Sequence, residues 1–220
     1  MEKTQQIVIL AAGDFPTHAV PLQALREADF VVCCDSAFSQ LNTTHYPLPT
    51  THYIVVGDGD SLSEADKSAL GERWLQVDEQ DYNDLHKAVQ WAVCHFPPRT
   101  SHFTILGATG RREDHTLGNI AYLVTFAEEH PGIRLEMLTD YGRFTAMTGS
   151  GTFATFPRQQ VSIFSMDPDR PIYGQGLRWP LDAFRARRWW QATLNEALGS
   201  EVTLSSDGWL VVFLTYDSKE

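Results

Sequence analysis

Four short apolar runs early in the chain share one layout, and that layout leaves few folds open. Residues 7–12 end at Gly13-Asp14, residues 30–34 at Asp35-Ser36, residues 54–56 at Gly57-Asp58-Gly59-Asp60, and residues 103–106 at Gly107. An unbroken apolar body suits a strand covered on both faces, as in a parallel sheet. Segments of helical character lie between the runs. Ser63-Glu64-Ala65-Asp66 reads as an N-cap followed by acids in a first turn. Leu85, Ala88, Val89, Ala92 and Phe96 follow helical spacing up to Pro97-Pro98, and Leu117, Ile120, Ala121 and Val124 repeat it ahead of Pro131-Gly132. The alternation predicts βαβ units and a three-layer α/β domain with a mostly parallel sheet over residues 1–139, its last strand at 133–139. Open sheets of this kind take ligands beyond the carboxyl ends of their strands, where the glycines and acids collect here.

The character changes near Gly142. Short β-rich runs at 151–156, 160–166, 176–179, 201–204 and 209–216 are separated by glycine and proline. Ser206-Asp207-Gly208 ahead of Trp209 predicts a hairpin turn, and residues 140–220 are expected to form an antiparallel β-sandwich. Residues 190–198 have a helix-favouring composition. The apolar fraction of 43% and charged fraction of 20% are those of an ordinary globular protein. Seventeen basic against 28 acidic residues leave a net charge of −11, which argues against nucleic acid or an anionic membrane as partner. It leaves phosphate substrates open, because a metal ion inverts the sign of an acidic site. Arg185-Ala186-Arg187-Arg188-Trp189-Trp190 reads as a surface or interface segment. Cys33, Cys34 and Cys94 are expected to be buried thiols in a reducing compartment. The first residues lack a signal-peptide pattern and no apolar run nears the ~20 residues that span a bilayer, so a cytoplasmic location is expected.

Three clusters carry chemistry. Asp58 and Asp60 are one glycine apart at a strand end, and so close a pair needs a cation or a shared proton; magnesium between acids and phosphate oxygens is the common relief. The alternative is a polar turn. Asp81 and Asp84, three residues apart before a helix, would adjoin on one face, unless Asp81 or Asn83 merely caps it. In the stretch from Gly107 to His115, glycines permit close backbone approach and the helix start offers N–H donors to a phosphate. Arg112 is placed to grip phosphate oxygens. The loop lacks the lysine of a Walker motif. His115 either binds phosphate, orients Asp114, or is structural.

Together these clusters resemble the thiamin pyrophosphokinase family. Its G-D-x-D-S pair is matched by Gly57–Ser61, its Q/K-D-x-T-D stretch by Gln80-Asp81-Tyr82-Asn83-Asp84, and its G-x-R-x-D-H loop by Gly110–His115, with Asn119 also in place. A G-L-x-x-P-L motif matches Gly176–Leu181, Thr193-Leu194-Asn195-Glu196 is similar to T-S-N-E, and Asp35 matches a further acid. Asn83 stands for a Thr, Ala108 and Arg111 each for a Gly, and Leu194 for the Ser of T-S-N-E. The resemblance implies an α/β domain followed by a β-sandwich, in a homodimer with active sites at the interface. It also implies transfer of the terminal pyrophosphate of ATP to the hydroxyl of thiamin, with magnesium. Asp58, Asp60 and Asp81 would hold the metal; Gly107, Gly110, Arg112, His115 and Asn119 the nucleotide. Asp84 and Asp35 would position or deprotonate the hydroxyl, with Arg112 and Asp114 also catalytic. Gln80, Asp84, Thr193 and Asn195 would contact thiamin, the threonine and asparagine from the partner chain. Three rivals stand beside this reading. A haloacid-dehalogenase-type phosphatase would want Thr or Val where Leu62 stands, and a calcium loop would want Glu where Ala69 stands. The third is a thiamin- or nucleotide-binding module without turnover.

Overall fold

A computed structural model of the chain describes residues 4–44, 52–79 and 81–218. The chain divides into two compact units, Met1–Tyr122 with Glu129–Asp140 and Leu123–Glu128 with Tyr141–Glu220.

The first unit is built on six parallel strands: β1 (Gln5–Leu10), β2 (Phe30–Cys34), β3 (Tyr53–Gly57), β4 (Trp74–Gln76), β5 (Ser101–Leu106) and β6 (Leu135–Leu138). Their spatial order is β6-β5-β1-β2-β3-β4, every neighbouring pair parallel. The order reverses at β1, so the ends of β1, β2 and β5 border the crevice that open α/β sheets use for ligands. Ile7 to Leu10, Val31 to Cys34 and Phe103 are sealed from solvent, as their unbroken apolar sequences require. The helices are α1 (Ala19–Arg26), α2 (Asp35–Thr44), α3 (Glu64–Leu70), α4 (Asp84–His95) and α5 (Glu113–Glu129). Ser63 caps α3, its Oγ accepting from the Asp66 amide at 3.1 Å. Asn83, not Asp81, caps α4, its Oδ1 accepting from the His86 amide at 2.9 Å. Leu85, Ala88, Val89 and Ala92 turn the apolar face of α4 onto β1, β2 and β3. Strand β4 has no counterpart in the sequence reading, since three residues are too few to show a period. Cys33 and Cys34 are buried as expected, but Cys94 is exposed, because it faces away from the buried stripe of α4.

The second unit is antiparallel: β7 (Gly142–Ala154), β8 (Gln159–Ser165), β9 (Ile172–Gln175), β10 (Leu181–Phe184), β11 (Ala192–Glu196) and β12 (Glu201–Ser218). Strand β12 pairs with β7 along most of its length; its first part also pairs with β9 and its second with β8. The sheet thereby folds over one core containing Val161, Ile163, Ile172, Leu181, Val202, Leu204, Leu210, Val212 and Leu214. Three expectations fail here. Ser206-Asp207-Gly208 is no hairpin turn but a bulge inside β12, with four residues of β12 advancing against two of β7. Ser206 is buried, its Oγ accepts from the Gly208 amide at 3.1 Å, and the Trp209 amide donates to Asp167 Oδ2 at 2.7 Å. Gly208 is there for space, since a Cβ would lie 2.7 Å from Asp167 Cβ. Residues 190–198 contain β11 rather than a helix, because pairing with β8 overrides composition. Residues 176–179 form no strand beyond a single bridge from Leu177 to Ala197. Among the described residues no helix is long and apolar enough to cross a membrane.

Candidate active site

Parallel pairing of β2 with β3 sets Cys34 opposite Val56, so the next residues, Asp35 and Gly57, are also neighbours. Asp35 is fully buried; its Oδ2 accepts from the Gly59 amide at 3.1 Å and its Oδ1 from the Ser36 amide at 2.5 Å. Gly57 makes room for it, since a Cβ there would lie 2.7 Å from Asp35 Cγ. Gly59 turns the chain at φ +83°, a conformation that favours glycine, and brings Asp60 back beside Asp58. The Asp60 amide donates to Asp58 Oδ1 at 3.1 Å and the Ser61 hydroxyl to Asp60 Oδ1 at 2.9 Å. Asp35, Asp58 and Asp60 thus each offer an oxygen within 4.8 Å of the others. Three hard carboxylate oxygens at that spacing fit a magnesium ion with further positions open to phosphate and water. Asp35, expected from the resemblance to act on the hydroxyl, here completes the acidic trio. Asp81 is exposed and lies outside that group, its amide donating to Glu79.

Asp84 stands at the start of α4, partly buried. Burial pushes its carboxyl above the ordinary value, Lys87 pulls it back, and the charges of Asp58 and Asp60 push it up again. Burial likewise raises Asp35, and Asp84 adds to that, against the N–H donors of Ser36 and Gly59. Asp35 therefore senses the negative charge of Asp84 and Asp58, and Asp84 that of Asp58 and Asp60. Lys87 was not singled out from sequence; its Nζ lies 3.4 Å from Asp84 Oδ1 and its side chain is 4% exposed. The signal available was its place one turn after Asp84 on the helix.

The other wall is the loop between β5 and α5. Gly13 N–H donates to Gly107 O at 2.6 Å and Asp14 N–H to Thr109 O at 2.8 Å, which locks the loops after β1 and β5 together. Gly107 and Gly110 have φ of +63° and +80°. Arg111, which stands where the family has glycine, keeps the glycine-like conformation at φ +57°. Asn119 ties the loop down, its Nδ2 donating to Ala108 O at 2.8 Å and its Oδ1 accepting from Asn83 Nδ2 at 3.2 Å. Arg112 is exposed and grips Asp114 through two bonds of 2.5 and 3.1 Å. That bond holds the Asp114 carboxyl down to about 2. His115 contacts Asp114 through its backbone N–H, at 2.9 Å. A cleft of about 320 Å³ lies between these loops and α4, bordered by Gly13, Ser36, Asp84, Gly110, Arg112 and Asn119.

Thr193 and Asn195 lie in the second unit. Asn195 is buried, and its carboxamide is engaged within the chain: Nδ2 donates to Trp179 O at 2.8 Å, and Oδ1 accepts from the amides of Trp179 and Glu196. It thereby fastens the Gly176–Leu181 segment to β11. Thr193 Oγ1 donates to Trp190 O at 2.9 Å. Leu194, between them, is 68% exposed and held at φ +60° where β11 is irregular against β8. Trp179, Pro180, Thr193, Leu194 and Asn195 border a cleft of about 360 Å³. Gln80 lies outside the described residues.

The first unit defines an open α/β protein with an acidic, glycine-bordered cleft at the carboxyl ends of its strands, followed by an antiparallel β unit. Residues 22–136 match the family model described as thiamin pyrophosphokinase, catalytic domain, and residues 142–213 match the one described as thiamin pyrophosphokinase, substrate-binding domain. The chain belongs to the thiamin pyrophosphokinase family. It is 29% identical over 143 residues to thiamine pyrophosphokinase 1 of Oryza sativa subsp. japonica, a stretch covering 59% of this chain and 52% of that protein. The chain thus spans about half the length of that relative. In fold it is similar to yeast thiamin pyrophosphokinase, with a TM-score of 0.81 at 15% identity over 98% of this chain and 87% of the other. It is likewise similar to a thiamin pyrophosphokinase family protein from Enterococcus faecalis, with a TM-score of 0.76 at 22% identity over 97% and 100%.

Proposed function

We propose that the protein transfers the terminal pyrophosphate of ATP to the primary hydroxyl of thiamin, releasing thiamin diphosphate and AMP. The observation that carries this reading is the convergence of the Asp35, Asp58 and Asp60 oxygens at one end of the sheet that also bears the Arg112 loop. The membership of the family supports it. In this reaction the hydroxyl oxygen bonds to the β-phosphorus while the bond from that phosphorus to the α-phosphate oxygen breaks. Charge builds on the departing oxygen and the hydroxyl proton must leave.

Asp35, Asp58 and Asp60 would hold magnesium, with Asp81 as a further acid assigned to it. The ion supplies charge neutralisation and alignment of the phosphate oxygens when bound. Arg112 offers its guanidinium to the phosphates and exchanges Asp114 for them, Asp114 holding it oriented until then. Gly107, Gly110, His115 and Asn119 shape the nucleotide side. Asp84, held beside the trio, is placed to orient the acceptor hydroxyl and take its proton. Positioning and electrostatic stabilisation then supply most of the acceleration, as in other phosphoryl transfers. Thiamin is assigned to Gln80, Asp84, Thr193 and Asn195. For Asn195 the intramolecular bonds leave one N–H of its carboxamide for that contact. The assembly is assigned as a homodimer with sites completed by the partner chain, in the cytoplasm.

Incubation with ATP, magnesium and thiamin tests the reading. Equal amounts of AMP and thiamin diphosphate are expected. Formation of ADP would overturn pyrophosphoryl transfer, and an aspartyl-phosphate trapped on Asp58 would restore the phosphatase alternative.

A further inference from the structure

Lys87 has no part in the reaction as derived so far, yet it is among the least exposed charged side chains of the protein. Its side chain, 4% exposed, borders a cleft together with Leu75, Val77, Glu79, Tyr82, His86 and Trp91, and an ammonium so enclosed is costly without a countercharge. The countercharge is Asp84, one helical turn away, 3.4 Å from Nζ. Asp84 in turn lies close enough to Asp58 and Asp60 to feel their charge, but stands outside the group whose oxygens fall within 4.8 Å of one another. An unpaired carboxylate beside three others would be drawn to any divalent ion they bind, since adding acidic oxygens tightens such sites.

We infer that Lys87 is a positioning residue that holds Asp84 out of the acidic trio, so that the trio serves the metal and Asp84 stays free for the acceptor hydroxyl. The inference rests on the proposed reaction for the role of Asp84, but its central claim concerns metal binding alone. Burial of the lysine side chain confines the ammonium, the i to i+3 spacing sets the carboxylate beside it, and the cap at Asn83 fixes the helix that carries both. The arrangement makes one acid of four chemically distinct without a change of residue type.

The test is calorimetric titration of the purified protein with Mg²⁺ alone, beside steady-state kinetics, for wild type, Lys87→Met, Asp84→Asn and the double variant. Lys87→Met should bind Mg²⁺ about tenfold more tightly or better. Its kcat should fall at least about tenfold while KM for ATP moves little, an interaction being lost mainly in the transition state. In the Asp84→Asn background, Lys87→Met should change neither Mg²⁺ affinity nor kcat, because the lysine acts through Asp84. Lys87→Arg, which keeps the charge, should return Mg²⁺ affinity toward wild type. Unchanged Mg²⁺ affinity in folded Lys87→Met would overturn the inference, as would equal effects of the substitution with and without Asp84. If Lys87→Met alone does not fold, comparing Asp84→Asn with the double variant, which lacks the unpaired charge, still decides it: a further loss there would show that the lysine does not act through Asp84. Absence of AMP from the wild-type reaction would defeat the proposed function while leaving the Mg²⁺ titrations to judge this inference.

Discussion

Gly57 and Asp84 show how single residues set the chemistry. A Cβ at Gly57 would fall 2.7 Å from Asp35 Cγ, so Gly57→Ala must displace a carboxylate that is otherwise pinned by two amides. Displacement by about an ångström is worth on the order of 100-fold in rate, and that is the loss expected in the proposed pyrophosphoryl transfer with magnesium present. Turnover near wild type in Gly57→Ala would show that the position of Asp35 does not matter. Asp84 gives a pH signature. Burial holds its folded value above the ordinary 3.8, so the fold keeps its proton more tightly than the unfolded chain does. Stability on this account falls as pH rises from about 3.8 through the raised folded value, and is constant above it. Asp84→Asn removes the effect. Its Tm relative to wild type should therefore climb with pH across that window and then level off; a difference that does not vary with pH would contradict the assignment.

At the scale of elements, the site depends on how helix starts and loops are tied to strand ends. Asn119 on α5 bonds both Ala108 in the glycine loop and Asn83 at the cap of α4. Asn119→Ala should cost about 1–3 kcal/mol in denaturant unfolding, the loss expected for a buried pair of hydrogen bonds, and should raise KM for ATP more than it lowers kcat. A stability loss with unchanged KM would confine Asn119 to a structural role. In the second unit, Leu194 occupies a left-handed conformation at φ +60° while largely exposed, so it carries backbone strain with little burial in return. Leu194→Asn should stabilise the protein by about 1 kcal/mol in the same assay, since asparagine tolerates that region. In β12, residues 206–208 carry turn chemistry inside a strand because the chain bulges there against β7. Val202, Leu204, Leu210, Val212 and Leu214 keep facing the core across the bulge, so a turn-forming tripeptide is carried inside an unbroken strand.

For the molecule as a whole, the division of labour between an α/β unit and a β unit is reflected in the two family models that meet near residue 140. The acidic trio, Asp84 and the Arg112 loop all belong to the first unit, whereas Thr193, Leu194 and Asn195 belong to the second. The proposed homodimer predicts sedimentation at twice the 24.8 kDa of one chain. Sedimentation as a 24.8 kDa species at assay concentration, with full activity, would remove the partner from the site.

The sequence by itself determined the parallel sheet, the places where its strands end, and the acids and glycines at those ends, because an unbroken apolar run and a strand-end carboxylate are local features. It also carried the motifs of the family, which lie in order along the chain. What only the tertiary structure decided is which carboxylates meet. Asp35 joins Asp58 and Asp60 through the register of β2 on β3, a contact 23 residues and more apart in the chain that no local pattern encodes. The same holds for Asp84, paired with a lysine whose burial is a property of packing, and for β11 and the β12 bulge, where pairing across the sheet overrode helix composition and turn chemistry.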